Sequence, residues 1–169
     1  KVIAIRKDLP SLLKAYAAAG SDARMNGCEL PVVINSGSGN QGLTVSVPLI
    51  VYAEREHLDK EKLYRALVIS NLTAIHLKTE IGRLSAFCGA VSAGAACGAG
   101  LAYLKDASEE VMNHTIVNAL AITSGIICDG AKASCAAKIA VSVEAGILGY
   151  DMYMNGQQFY GGDGIISKG

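Results

Sequence analysis

Thiolates bind soft metals, and five cysteines fall along this chain of 169 residues. Two of them bracket the run Cys128-Asp129-Gly130-Ala131-Lys132-Ala133-Ser134-Cys135. On one unbroken helix their Cα atoms would stand about 10 Å apart at 1.5 Å per residue, an awkward span for sharing one small cluster. Gly130 offers the break that would let them converge. Cys88 lies 40 positions before Cys128, in an Ala/Gly-rich stretch whose missing side-chain bulk leaves room for an inorganic centre. Residue types alone leave two readings of these three open: metal ligands, or small hydrophobes of an Ala-rich core, where free cysteine is at home. Asp129 and Lys132 between them are placed to hydrogen-bond a group held there, or to act as a helix cap and a solvated lysine.

Gly37-Ser38-Gly39-Asn40-Gln41-Gly42 fits the GxGxxG pattern and follows an apolar run, with Asp59 and Glu61 near the distance expected of a ribose-binding acid. A nucleotide-binding oxidoreductase would use it that way. The pattern carries meaning only inside a strand-helix-strand unit, and no alternating series of strands and helices follows. Pro48 also interrupts the first turns of the helix that would cover a pyrophosphate. A second reading keeps the glycines: N-H groups freed in the turn, flanked by Ser36, Ser38, Asn40 and Gln41, form a neutral nest for a carboxylate. A tight surface turn is the third.

The elements around these groups read as helices. Asp8-Leu-Pro-Ser opens one, with Pro10 tolerated in its first turn, and Asn26-Gly27 closes it. Leu30 to Ile34 is a short apolar run of strand type. Leu43 to His57 is undecided between helix and strand, because β-branched residues and Pro48 oppose the helix. Asp59 caps a helix to about Leu77, and Thr79 is placed to cap the next, the Ala/Gly-rich one. Ser108 caps a helix from Glu109 to about Ile127; Gly130 interrupts; Ala131 to Tyr150 resumes. The Gly-rich tail from Asn155 holds no long periodic element. The whole, residues 1–169, reads as one mostly α domain.

Composition narrows the partners. Fifteen Lys and Arg balance fifteen Asp and Glu, so the chain lacks the basic footprint a nucleic-acid binder needs. Leu84 to Leu104 carries no charge over 21 residues, with Ala90, Gly94 and Gly98 at small-xxx-small spacing. Its Ala, Gly, Ser and Cys transfer weakly into lipid, so a central buried helix is expected rather than a membrane span. An odd cysteine count without a CxxC pair argues against a disulfide framework and for a reducing compartment, and no secretory signal is evident; a cytoplasmic protein is expected. The initial Lys1 suggests a piece of a longer protein.

Four segments in order, Ser21 to Gly27 (SDARMNG), Asn35 to Gly42 (NSGSGNQG), Arg83 to Ala90 (RLSAFCGA) and Gly125 to Lys138 (GIICDGAKASCAAK), resemble the C-terminal part of the L-cysteine desulfidase family, related to the serine dehydratase α chain. The resemblance covers the chain from about Ala19 onward. It implies a compact, mostly α domain of the serine dehydratase α-chain type around the central Ala/Gly-rich helix. It also implies an oxygen-sensitive 4Fe-4S lyase converting L-cysteine to pyruvate, hydrogen sulfide and ammonia, with Cys88, Cys128 and Cys135 as cluster ligands. Cys28 and Cys97 match no ligand of the family. L-Serine dehydratases share the ancestry and make L-serine the alternative substrate, although their glycine loop and final cysteine spacing differ.

Three thiolates on a four-iron cube leave one iron open as a Lewis acid, and Ser36 to Gln41 would hold the amino acid's carboxylate. Arg24 and Asp22 either pair with each other or meet substrate. Family members carry an N-terminal half with a cysteine in a GCTEP-like motif, and no such segment is present here. The general base is therefore expected in that half, as none of His57, His76, His114, Cys28 or Cys97 is a persuasive candidate. The implied partners are a small amino-acid substrate, the remaining half and, where apolar surface is left open, a second copy in a homo-oligomer.

Overall fold

Asp8 takes an extended backbone and accepts the Ser11 N-H at 2.9 Å, so α1 (Leu9–Met25) starts at the cap the sequence predicts. The computed structural model describes residues 8–168. Five further helices follow: α2 (Gly39–Arg55), α3 (Lys60–Ile81), α4 (Gly89–Leu104), α5 (Glu109–Thr123) and α6 (Ser134–Met154). Ser38, Asp59 and Ser108 cap α2, α3 and α5 through side-chain oxygens. The fold is a mostly α domain, without strands among the described residues.

Helix α4 occupies the centre, packed by α2, α3, α5 and α6. Small residues let its neighbours approach that closely. A Cβ on Gly94 would lie 2.3 Å from the Ser142 carbonyl oxygen of α6, and one on Gly98 would lie 2.8 Å from the Gly146 Cα. The backbones of α4 and α6 therefore meet almost directly, and larger side chains fill the flanks. Leu49, Val45, Ile139 and Val143 are fully buried there.

Several boundaries differ from the sequence reading. Leu30 to Ile34 is not a strand: it runs as irregular chain with Leu30, Val33 and Ile34 exposed and no partner strand beside it. The undecided Leu43 to His57 segment is helical to Arg55, with Pro48 buried inside α2. The third helix passes Leu77 and ends at Gly82, whose φ of 81° suits glycine. Thr79 thus lies within α3, its hydroxyl donating to the Ile75 carbonyl at 2.8 Å, and caps nothing. The charge-free run from Leu84 is a loop followed by a 16-residue helix of about 24 Å. Among the described residues no helix is long and apolar enough to cross a membrane. The fifth helix ends at Thr123 rather than near Ile127, and the sixth begins only at Ser134.

Candidate functional site

The loop before α4 and the loop before α6 are laced together by their backbones. The Cys88 N-H donates to the Ile126 carbonyl at 3.2 Å and the Cys128 N-H to the Ala86 carbonyl at 2.8 Å, with Phe87 and Ile127 bridged antiparallel between them. This lacing brings Cys88 and Cys128 to one end of the molecule from 40 residues apart. Gly130, at φ 93°, then turns the chain back toward α6. Cys135 in the first turn of α6 follows, its thiol donating to the Gly130 carbonyl at 3.5 Å.

Cys88 is buried at the N-cap position of α4, while Cys128 is exposed and Cys135 partly buried. Burial pushes the Cys88 thiol up, the Ala90 N-H draws it down, and charges on Cys128 and Cys135 push it up again while the Lys138 ammonium lowers it. The paired loops and the turn at Gly130 bring the three cysteines to the same end of the fold. Among the described residues, no three His, Cys, Asp or Glu side chains meet closely around a single ion.

Asp129 is held by a lysine the sequence reading did not single out. Lys138 Nζ donates to Asp129 Oδ1 at 2.6 Å and to the Ile127 carbonyl at 3.0 Å, and Ser134 donates to Asp129 Oδ2 at 3.4 Å. The hydrogen bond from Lys138 holds the Asp129 carboxyl below its ordinary range. Lys132 is exposed and makes no side-chain hydrogen bond or ion pair among the described residues. The signal for Lys138 was its place three residues after Cys135, on the same helix face.

The glycine loop is built for packing and for one tight turn. Ser36 and Gly37 have φ of 47° and 84°. Asn35 and Ser38 exchange backbone hydrogen bonds at 3.2 and 3.0 Å around them, the geometry of a type I′ turn. Gly42 lies so near the extended chain that a Cβ would overlap the Val33 carbonyl oxygen, and a Cβ on Gly39 would lie 2.7 Å from Val32 Cγ2. No strand feeds this loop among the described residues, so the unit a dinucleotide fingerprint needs is not formed. Arg24 donates to Asn40 Oδ1 at 3.1 Å and fixes that amide.

Gln41 connects the loop to the cysteines. Its side chain lies across Gly89, where a Cβ would meet Gln41 Nε2 at 2.4 Å, and Gly89 adjoins Cys88. Gln41 is 5% exposed and its Oε1 has no hydrogen-bond partner. Such an orphaned acceptor costs about 1–3 kcal/mol, which a ligand donor would relieve. A cavity of about 350 Å³ opens beside Cys88, walled by Leu77, Ile81, Phe87, Val91 and Ile126.

A family model described as the serine dehydratase alpha chain matches residues 2–168. The chain belongs to the serine dehydratase α-chain family. Similar proteins of this α-chain family include UPF0597 proteins of Desulfitobacterium hafniense, 66% identical over 96% of the chain, and of Lachnoclostridium phytofermentans, 60% identical over 94%. One from Bacteroides fragilis is 41% identical over 94%. The chain spans 38% of the length of the first two and 37% of the third. No solved structure matches it.

The remaining candidates of this serine dehydratase α-chain domain lie outside the site. Cys97 is completely buried beside Leu49 and Leu101, and burial pushes its thiol up to about 12. Cys28 is exposed in the chain after α1. His57 and His76 are exposed, and His114 stacks on Tyr153 with ring centroids 4.6 Å apart.

Proposed function

We propose that this chain is the cluster-bearing domain of a lyase that eliminates sulfide from L-cysteine. The observation that carries the reading is the backbone pairing of the loops that bear Cys88 and Cys128, with Cys135 on the turn that follows and the glycine-loop residue Gln41 lying against Gly89 beside Cys88. Three cysteines at one end of the fold are the donor type a 4Fe-4S cluster takes, and Cys88, Cys128 and Cys135 would hold it. When bound, the cluster would supply an open iron as a Lewis acid for the substrate's leaving group.

The residues of this chain then divide the remaining work. Ser36 to Gln41 and the first turn of α2 hold the amino acid, with Arg24 fixing Asn40 and leaving Gln41 free to orient the substrate. Lys138 clasps Asp129 and the Ile127 carbonyl, fixing the loop between two ligands and offsetting the negative charge of the thiolates. Elimination breaks the Cα-H bond, the proton passing to a base, and the Cβ-S bond, the pair leaving with sulfide. The resulting aminoacrylate becomes an imine and takes up water to give pyruvate and ammonia, with no net oxidation. The base is assigned to the rest of the longer protein, taken as an N-terminal half, which with a second copy is the proposed macromolecular partner; the site is proposed to work in the cytoplasm.

L-Serine is the second reading, favoured by the family's description. The full-length protein, purified and assayed without oxygen, separates the two. Sulfide and pyruvate released together from L-cysteine, well above pyruvate from L-serine, support the desulfidase. The reverse preference makes it a serine dehydratase, and release from neither removes both.

A further inference from the structure

A lysine with a buried stem and no counter-charge stands near the level of the glycine loop. Lys78 is the last buried position of α3 and is 3% exposed. No carboxylate pairs with it and its side chain makes no hydrogen bond among the described residues. An ammonium held on a buried stem without a carboxylate partner is placed to receive an anionic ligand.

Helix registers place this lysine. Ser70 donates to the Val45 carbonyl of α2 at 2.9 Å, and one turn later Ala74 packs with Val45, Ala93 and Ala96. A Cβ on Gly100 would meet the Ala66 carbonyl at 3.2 Å, so α3 and α4 run antiparallel. Lys78 lies one turn beyond Ala74, Gln41 one turn before Val45, and Gly89 one turn before Ala93. Gln41 and Gly89 are in contact with each other, which fixes one side of this arrangement, and the registers set Lys78 on the other. Leu77 and Ile81, on either side of Lys78 in sequence, wall the cavity that opens beside Cys88.

We propose that Lys78 is the cationic anchor for the carboxylate of the amino-acid substrate, with the orphaned Gln41 Oε1 accepting from its ammonium. This assignment rests on the lyase reading above and names the group that grips the substrate. A charged hydrogen bond of this kind is worth about tenfold to hundredfold in affinity.

Two probes isolate the carboxylate: 3-mercaptopropionate carries it without the amine, and cysteamine carries the amine without it. Calorimetric titration of the full-length, cluster-loaded protein under anoxic conditions should show K78M weakening 3-mercaptopropionate by about tenfold to hundredfold while cysteamine changes less than about twofold. The cluster absorbance and Tm should stay as in the unaltered protein. Unchanged 3-mercaptopropionate binding, or equal weakening of both probes, overturns the role of Lys78 and leaves the lyase reading standing. Binding of neither probe by the unaltered protein removes the lyase reading and this assignment with it. A ligand-free check keeps the proposal testable should K78M fold poorly. Q41E places a carboxylate beside Lys78 and should raise Tm, a gain that K78R preserves and that Q41E loses when the lysine is replaced by Gln. A Tm lowered by Q41E regardless of residue 78 contradicts the juxtaposition.

Discussion

Cys97 and Cys128 share a side chain and differ in everything around it. Complete burial among Leu13, Leu49 and Leu101 holds the Cys97 thiol neutral until about pH 12, whereas Cys128 is exposed. Iodoacetamide at neutral pH should therefore modify Cys28 and Cys128 in cluster-free native protein and leave Cys97 untouched, read by mass spectrometry; labelling of Cys97 without unfolding would contradict its packing. The raised pKa also fixes a pH dependence. Below pH 9 both folded and unfolded chains keep this thiol protonated and its stabilisation is fully present. Between pH 9 and about 12 only the unfolded chain ionises, so folding weakens by about 1.4 kcal/mol per pH unit. The decline of urea midpoint with pH in that range should be shallower in C97A; equal slopes would refute the assignment. At this scale the motifs singled out Cys88, Cys128 and Cys135, which the fold brings to one end, and the glycine loop, which it makes a tight turn. Lys78 and Lys138 were hidden, because a lysine on a helix face reads as solvated until its neighbours are placed.

The helices capped at Asp8, Asp59 and Ser108 were legible, since a cap acts within three residues, whereas the cap at Ser38 was masked by the glycines and by Pro48 inside α2. Boundaries set by distant contacts were not. The loop from Gly82 to Cys88 is held out of helix by the bridge to Ile127, 40 residues past Phe87, which no local pattern announces. The strand expected at Leu30 to Ile34 failed because those apolar side chains have no neighbouring strand to pair with. The Ala/Gly composition did foretell a central helix, and its contact with α6 sets a test. G98V would force side-chain atoms into the backbone of Gly146. Overpacking of that kind costs about 1–3 kcal/mol, or more where backbones must separate, and should lower Tm by several degrees. A Tm equal to that of the unaltered protein would show that the two helices do not touch there.

Across the whole molecule, the cysteine end is apolar and open. Leu84, Phe87, Ile127 and Ile165 are exposed around it, a patch of the kind that marks an interaction surface. The chain spans 38% of its Desulfitobacterium relative, and we assign the cover of this patch to the remainder of the longer protein. F87S should reduce binding of the remainder, supplied as a separate chain, by about tenfold while leaving helical content unchanged, as loss of a central aromatic contact does; undiminished binding would place the interface elsewhere. Without that remainder, the domain should release no sulfide from L-cysteine, because the base we assign to the remainder would supply general acid-base assistance worth about a hundred to ten thousand fold. Release by this chain alone would put the base within residues 1–169.

The central claim is that Cys88, Cys128 and Cys135 hold one four-iron cluster. Iron and acid-labile sulfide, counted with the visible absorbance on protein prepared without oxygen, test it most directly. About four of each per chain, lost in C88S, C128S and C135S and kept in C28S, is the expected result. Iron at that level retained after all three substitutions, or none bound by the unaltered protein, would contradict it.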